Sequence, residues 1–217
     1  MTRALFPPWA NIVAKASLIA LACTLVGVPM ALMAWVRTPN ATRRYQPVAQ
    51  PVAFDHRVHV TGEHIDCRYC HFSAERSSSA GIPPTTTCVA CHSQTWMQSA
   101  TLAPVRQSME TGRPLEWNRV DALPGFVYFN HAIHVNKGVG CETCHGRVDR
   151  MGQVYQAQPM TMSWCVSCHR NPAPNLRPVA AMTTMGYVPP VPQAQLGPTL
   201  VRDYHVRQLT NCTTCHR

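Results

Sequence analysis

The hydrophobic pattern of the chain changes abruptly near residue 37. Residues 16–36 carry no charged side chain, and Lys15 and Arg37 bound this apolar run. Because about 21 residues of α-helix rise roughly 32 Å, the run matches the roughly 30 Å hydrocarbon core of a bilayer and predicts one transmembrane anchor. A cleaved signal peptide is the competing interpretation, but the run is longer than a usual signal and no clear A-x-A cleavage site follows it.

Beyond residue 37 no helical or strand periodicity is sustained. Residues 37–53 are Pro-containing and predict an extended tether. Seven prolines between residues 170 and 200 exclude a long helix there and predict an extended strap. Short helices are expected between these segments and strands are not, so the pattern predicts a mainly α fold with irregular coil.

Apolar residues are too few in this part of the chain to build an ordinary core. Leu, Ile, Val and Phe make up only 32 of the 180 residues after residue 37, and charged residues are only 13% of the whole chain. These values argue against a disordered polyelectrolyte and against a free-standing solvated domain. Something other than side chains must therefore fill the interior.

Ten of the eleven cysteines fall into five copies of the pattern C-x-x-C-H. This spacing is the attachment signature of c-type haem, because two thiols must reach the two vinyl groups of one porphyrin edge while the adjacent histidine reaches the iron. A disulfide framework does not require these histidines, and zinc sites would not leave histidine in excess. We therefore predict five covalently attached haem c groups. In chain order, the first to fifth attachment motifs hold Cys67 and Cys70, Cys88 and Cys91, Cys141 and Cys144, Cys165 and Cys168, and Cys212 and Cys215.

The histidine count agrees with this prediction. The histidine of each motif is the predicted proximal ligand of one iron, namely His71, His92, His145, His169 and His216. Six further histidines remain for the second axial positions, as a mostly bis-His electron carrier requires. A catalytic multihaem enzyme would instead leave an iron open, so no catalytic residue is predicted.

An internal repeat identifies four of these six histidines as distal ligands. The pattern F-x-H-x-x-H-V occurs at residues 54–60 and 129–135, and two attachment motifs follow each copy. Two histidines three residues apart on a helix project about 60° from one another, so that each reaches a different iron. We predict two di-haem modules, residues 54–92 and 129–169, whose distal ligands are His56, His59, His131 and His134.

The second ligand of the fifth haem stays open between two residue types. His205 precedes the last motif and is the first candidate, while Met160 or Met162 is the alternative ligand for one haem. His64 lies outside the repeat and is interpreted as a surface or propionate-contacting residue. Residues 93–128 form the connector between the modules, and residues 201–217 form the fifth haem segment.

Two constraints on the orientation of the anchor conflict. The positive-inside rule favours a cytoplasmic C-terminus, because two basic residues precede the span and three follow it closely: Arg3 and Lys15, then Arg37, Arg43 and Arg44. Covalent haem is attached on the outer face of the bacterial membrane, and this stronger constraint places residues 1–15 in the cytoplasm and the haem domain in the periplasm. The formal charge of +9 points to an anionic partner, but a ferric haem with ionised propionates carries about −1, so no nucleic acid partner is expected.

With these motifs in place, the chain resembles a known family over nearly its whole length. The residues that carry the resemblance are the N-terminal anchor, FDHRVH at 54–59, CRYCH at 67–71, GIPPT at 81–85, FVYFNH at 126–131, GVGC at 138–141 and WC at 164–165. They are similar to the pentahaem cytochrome c subunit of alternative complex III. The resemblance implies a multihaem cytochrome c fold built around five covalent haems. It also implies that the ten motif cysteines bind haem, that the five motif histidines are proximal ligands, and that the histidines of the two repeats are distal ligands.

The resemblance further implies a place in a respiratory complex of the inner membrane. In that family, polytopic quinol-binding subunits oxidise quinol, an iron–sulfur subunit passes the electrons to the pentahaem subunit, and a monohaem cytochrome c or similar periplasmic acceptor receives them. The subunit itself relays electrons and is not an enzyme.

Two other classes of function remain open. A stand-alone multihaem quinol dehydrogenase would oxidise quinol at a haem near the membrane, and the tether and the fifth haem count against it. A multihaem reductase would bind substrate at an open iron, which the ligand count opposes. High-spin haem signals would favour the reductase, and copurification of polytopic and iron–sulfur subunits would favour the complex.

Overall fold

The computed structural model describes residues 6–216 and divides them into two compact units, one ending at Arg43 and the other beginning at Arg44. Within the described residues both units are helical or irregular, and no β-sheet forms. Only two isolated antiparallel bridges occur there, Pro47 with Tyr155 and Val139 with Leu176. The predicted mainly α and coil fold is therefore confirmed.

The first unit is dominated by one long apolar helix, α1, which spans Ala10–Trp35. An 18-residue window of this helix has a mean hydropathy of 2.1, and by length and composition the helix could cross a membrane. It begins six residues before the predicted start at residue 16 and includes Lys15, because a lysine with a long aliphatic stem is a good helix former that the hydrophobicity pattern excludes. Residues 1–5 of the predicted cytoplasmic segment lie outside the described residues.

The predicted tether is not extended throughout. A short helix, α2, covers Pro39–Thr42, and the Thr38 side chain accepts a hydrogen bond from the backbone N–H of Ala41 at its start. Further on, the backbone N–H groups of Tyr45 and Val48 donate to the carbonyls of residues 156 and 154. Residues 45–53 therefore belong to the second unit, where Val52 is buried. The prolines of residues 37–53 argue only against a long helix. A single helical turn, or backbone hydrogen bonds to a distant segment, leaves no pattern in the local sequence from which it could be predicted.

The helices of the second unit are short, and most of them carry an attachment motif. Its α-helices are α3 Cys67–Cys70, α4 Thr85–His92, α5 Ala103–Thr111, α6 His131–Asn136, α7 Cys141–His145, α8 Met162–Arg170 and α9 Gln193–Asp203. A π-helix covers Arg57–Gly62, and 3₁₀ turns cover Ala100–Leu102, Val148–Arg150, Ala173–Asn175, Val179–Ala181 and Cys212–Thr214. The first four motifs therefore lie on an α-helix or at its C-terminal end, and the fifth lies at a 3₁₀ turn.

The predicted Pro-rich strap is partly helical and lies on its own chain. Helix α9 starts inside it at Gln193 and continues past the predicted boundary at residue 200. This helix contains Pro198 at its middle position, where the missing N–H removes one backbone hydrogen bond. It packs closely on the turn Ala173–Asn175 because Gly197 faces the carbonyl of Ala173, where a Cβ atom would collide. The expectation of a wholly extended strap is therefore wrong.

Buried apolar side chains are few and scattered. Among the described residues, those with under a tenth of their surface exposed are Val52, Leu102, Val105, Ala132, Val135, Met151, Ala157, Leu176, Met182 and Leu200. One cluster joins Val52, Leu102 and Val105 beneath α4. This sparse packing agrees with the composition, which predicted that side chains alone do not fill the interior.

Candidate haem-binding centres

The two F-x-H-x-x-H-V repeats have the same local geometry. In the first copy the Phe54 ring stacks on His59, with centroids 4.3 Å apart, and meets His56 edge-on at 4.8 Å. In the second copy Phe129 stacks on His134 at 4.5 Å and meets His131 edge-on at 6.2 Å. The phenylalanine of each repeat therefore contacts the rings of both histidines that follow it, stacking on the second and meeting the first edge-on.

Three of the four repeat histidines lie opposite the histidine of an attachment motif. The ring centroids are 6.2 Å apart for His59 and His92, 6.3 Å for His131 and His145, and 6.0 Å for His134 and His169. Two imidazoles bound to opposite faces of one iron through bonds of about 2 Å have centroids about 6 Å apart. The three pairs therefore fit the two axial positions of a haem iron.

The fourth repeat histidine, His56, lies near the first attachment motif. Burial, followed by the charges of His71 and His59, lowers the pKa of His56 to about 4. Its Nδ1 atom is buried and has no hydrogen-bond partner within the described part of the chain. In the second repeat the first histidine faces the first motif that follows it and the second histidine faces the second. The same rule in the first repeat pairs His56 with His71.

Most of these imidazoles are oriented by a hydrogen bond at Nδ1, which leaves Nε2 for a metal. Six of them lie 2.8–3.2 Å from a backbone carbonyl: His59 with Asp55, His71 with Gly81, His92 with Thr95, His131 with Ala74, His134 with Asn130 and His216 with Phe126. The seventh, His145, instead lies 2.6 Å from the carboxylate of Asp121. An imidazole that donates its Nδ1 proton to such a partner offers Nε2 to a haem iron.

The thiols show which attachment motifs are neighbours in space. The pKa of Cys70 is raised by burial and then by the nearby thiols Cys88 and Cys91, which joins the first motif to the second. The thiols of Cys67 and Cys141 are neighbours, and this contact, followed by burial, raises the pKa of Cys141. The first motif therefore lies between the second and the third.

The remaining motifs continue this order. Burial, followed by the charge of Cys168, raises the pKa of Cys144 to about 12, which joins the third motif to the fourth. The pKa of Cys165 is raised by burial and then by Cys215 of the fifth motif. The neighbouring motifs are thus the second and first, the first and third, the third and fourth, and the fourth and fifth, so the third is the middle member of this series.

Exposure separates the eleven histidines into two groups. The five motif histidines and the four repeat histidines are all half-buried, whereas His64 and His205 are exposed. Both exposed histidines have a left-handed backbone, with φ of 55° and 50°. Met160 is half-buried and Met162 is exposed. The ring of His216 contacts Phe126, with centroids 5.9 Å apart.

A cavity with apolar side chains in its wall lies beside the second motif and could hold one face of a porphyrin. A cavity of about 320 Å³ is lined by His92, Val89, Met97, Leu102 and Val105, among other residues. All ten motif cysteines are free thiols rather than disulfides. The residues present therefore fit covalent haem: free thiol pairs, oriented imidazoles at the spacing of one iron, and apolar walls.

Two features of these centres were not predicted. Asp121 lies in the connector, 24 residues before His145, and no sequence pattern relates the two. The stacking role of the two phenylalanines was visible in principle, because each stands at the same position of the repeat.

Comparison with known proteins agrees with this geometry. Residues 127–217 match the family described as cytochrome c7 and related cytochrome c. The chain is also 30% identical to the multihaem cytochrome c subunit of menaquinone reductase from Nitratidesulfovibrio vulgaris. The alignment is 168 positions long and covers 67% of this chain and 79% of the relative.

Proposed function

We propose that the chain, which belongs to the same family of multihaem cytochrome c subunits as the relative from N. vulgaris, is the pentahaem electron-relay subunit of a quinone-linked respiratory complex. The haem group, when bound, supplies a one-electron ferric/ferrous couple. The protein supplies attachment, axial ligands and a fixed line of neighbouring centres. The observation that carries the proposal is the set of three imidazole pairs at 6.0–6.3 Å.

We assign the residues as follows. The ten motif cysteines attach five haems, and His71, His92, His145, His169 and His216 are proximal ligands. His56, His59, His131 and His134 are the distal ligands of the first, second, third and fourth haems. His205 stays the first candidate at the fifth haem, although its exposure speaks against it, with Met160 or Met162 as the alternative.

We place the complex in the inner membrane. Helix α1 anchors the chain, and the second unit lies on the periplasmic side, where haem attachment takes place. The partners are polytopic quinone-reactive subunits and an iron–sulfur subunit of the same complex, together with a monohaem cytochrome c or similar partner in the periplasm. The resemblance to the subunit of alternative complex III favours quinol oxidation: two electrons leave each quinol in the partner subunits and pass singly through this chain.

A second direction of electron flow has support of its own. The relative from N. vulgaris is a subunit of a menaquinone reductase, and in such a complex electrons from a periplasmic donor would pass through the cytochrome toward the quinone. The same line of haems serves both directions, so the partners and potentials decide between them.

Intact mass and spectroscopy of the purified protein test the haem assignment. We expect five covalent haems, a retained N-terminal helix and at least four low-spin haems. Fewer than five haems, or loss of the segment before residue 36, would contradict it.

Reduction assays with a menaquinol analogue test the direction and separate the alternatives. We expect reduction of the haems in the isolated complex and none in the isolated chain. Reduction of the isolated chain would support a stand-alone quinol dehydrogenase. Failure of the complex, combined with rapid oxidation of the prereduced haems by menaquinone, would support the opposite direction. High-spin haem that binds nitrogen or sulfur oxyanions would support a reductase.

A further inference from the structure

One axial histidine has a different hydrogen-bond partner from the others. Nδ1 of His145 lies 2.6 Å from Oδ2 of Asp121, whereas six other axial histidines face backbone carbonyls at 2.8–3.2 Å. A distance this short is typical of a charge-assisted hydrogen bond. His145 belongs to the third attachment motif, which is the central one in the spatial order.

The carboxylate is placed so that its charge acts on this imidazole. The Asp121 side chain is 24% exposed and that of His145 is 37% exposed, so solvent screens the contact only in part. The second carboxylate oxygen, Oδ1, is buried and has no hydrogen-bond partner among the described residues. No arginine or lysine of residues 6–216 forms an ion pair with Asp121. The negative charge is therefore directed at Nδ1 of His145 and is not neutralised by a cation.

The electronic consequence follows from ligand basicity. A carboxylate that accepts the Nδ1 proton draws that proton away from the ring and makes Nε2 a stronger donor to a metal. A stronger axial donor stabilises the ferric state more than the ferrous state, and outer hydrogen bonding is one of the levers that set haem potentials. A neutral carbonyl has the same effect to a smaller extent.

We propose that Asp121 is a positioning residue that lowers the reduction potential of the haem attached at Cys141 and Cys144. This inference rests on the proposed haem function and adds a specific role within it. Because the third motif is central, the carboxylate disfavours an electron on the middle haem of the line and favours the two pairs of haems on either side. The chain then holds electrons near its ends, where partners exchange them.

The test is a spectropotentiometric titration of the holoprotein at one fixed pH, comparing wild type with Asp121→Asn. The amide oxygen of asparagine still accepts the Nδ1 proton but carries no charge, so five low-spin haems are retained. We expect one of the five potentials to rise while the other four stay unchanged. Glu116→Gln is the matched control, because it removes an exposed carboxylate of the same connector and should shift none of them.

Two results overturn the inference. One is five low-spin haems in Asp121→Asn with all potentials as in wild type, and the other is an equal shift in Glu116→Gln. Either leaves the proposed haem function intact, which a mass showing fewer than five haems in wild type would instead contradict.

A measurement on the unaltered protein keeps the inference testable if Asp121→Asn does not fold. In holoprotein labelled with ¹⁵N at histidine, we expect one axial Nδ1 resonance to stand apart toward imidazolate character, and Asp121→Glu to keep it. Axial resonances that are all alike would overturn the inference.

Discussion

The two di-haem modules share their ligand geometry but differ in the charges around it. In both, a phenylalanine stacks on the second repeat histidine at 4.3–4.5 Å, and the Nδ1 of that histidine faces the carbonyl four residues earlier. In the first module the proximal His71 faces the carbonyl of Gly81, whereas in the second His145 faces a carboxylate. The two modules thus share the residues that position the distal imidazoles, and they differ in the charged groups around the proximal ones.

The same contrast appears at the residue that follows the first cysteine of each module. Arg68 pairs with Asp66 at the surface, where the two side chains are 49% and 42% exposed. Glu142 occupies the equivalent position and pairs with Arg177, with the two side chains 15% and 11% exposed. Gly140 leaves the space that the guanidinium of Arg177 occupies. A largely buried ion pair therefore joins the second module to the strap, whereas the first module contacts the strap through a hydrogen bond from Thr183 to the exposed Asp66.

Removing the matched distal histidines should have the largest effect. In His59→Ala and in His134→Ala, one iron loses its second imidazole, so one haem of five is expected to become high-spin in electron paramagnetic resonance spectra. The two variants should behave alike, because the two repeats hold these rings in the same way. His64→Ala is the control and should leave all spectra unchanged, since His64 is exposed. A high-spin haem in only one of the two variants would break the equivalence of the modules.

Breaking the sheltered ion pair should have the next largest effect. Glu142 accepts hydrogen bonds from Arg177 and from the backbone N–H of Gly186, both at 2.6 Å. Glu142→Gln should lower the free energy of unfolding by about 2 kcal/mol, because a largely buried guanidinium is left without its counter-charge. Arg68→Met, at the exposed pair, should cost less than about 0.5 kcal/mol. Thermal unfolding of the holoprotein measures both, and equal losses would contradict the contrast between the modules.

The smallest expected effect is a loss of stability at acidic pH that depends on Asp66. The hydrogen bond from Arg68 lowers the pKa of Asp66 to about 2, below the value of about 4 of an unfolded chain. The carboxylate therefore contributes stability above pH 4 that is lost as the pH falls toward 2. This contribution is about 0.5 kcal/mol because the pair is exposed. Asp66→Asn should lose stability relative to wild type at pH 6 but not at pH 2, and an equal loss at both would contradict the assignment.

The sequence alone could predict the ligand sets because each ligand belongs to a short sequence pattern. Thiols two residues apart with histidine next to them, and histidines three residues apart after phenylalanine, are short patterns. The sparse core was equally predictable, since Leu, Ile, Val and Phe are few. The structure places three of the predicted distal histidines, His59, His131 and His134, each opposite a predicted proximal histidine.

The order of the centres could not be predicted, because it depends on contacts between distant segments. The backbone N–H groups of His131 and Ala132 donate to the carbonyls of Ser78 and Ser77, and Nδ1 of His131 faces the carbonyl of Ala74. These contacts hold the second repeat against the segment that follows the first motif, and they leave no local pattern in the sequence. The role of Asp121 was hidden for the same reason.

Two helix boundaries differ from those that the sequence predicts, one at a lysine and one in a proline-rich segment. The hydrophobic pattern places the start of the anchor after Lys15, yet α1 includes this lysine and begins at Ala10. The seven prolines predict an extended strap, yet α9 includes Pro198. Packing of α9 on the turn Ala173–Asn175, with bonds from the Gln193 side chain to the carbonyls of Ala173 and Leu176, outweighs the local preference.

The most direct test of the account is an experimental structure of the haem-loaded protein that locates all five irons. We predict one line of irons in the order of the second, first, third, fourth and fifth motifs. We also predict that the first four are coordinated by His56 with His71, His59 with His92, His131 with His145, and His134 with His169. Irons that follow the order of the motifs along the chain, or a different histidine at any of these four irons, would contradict it.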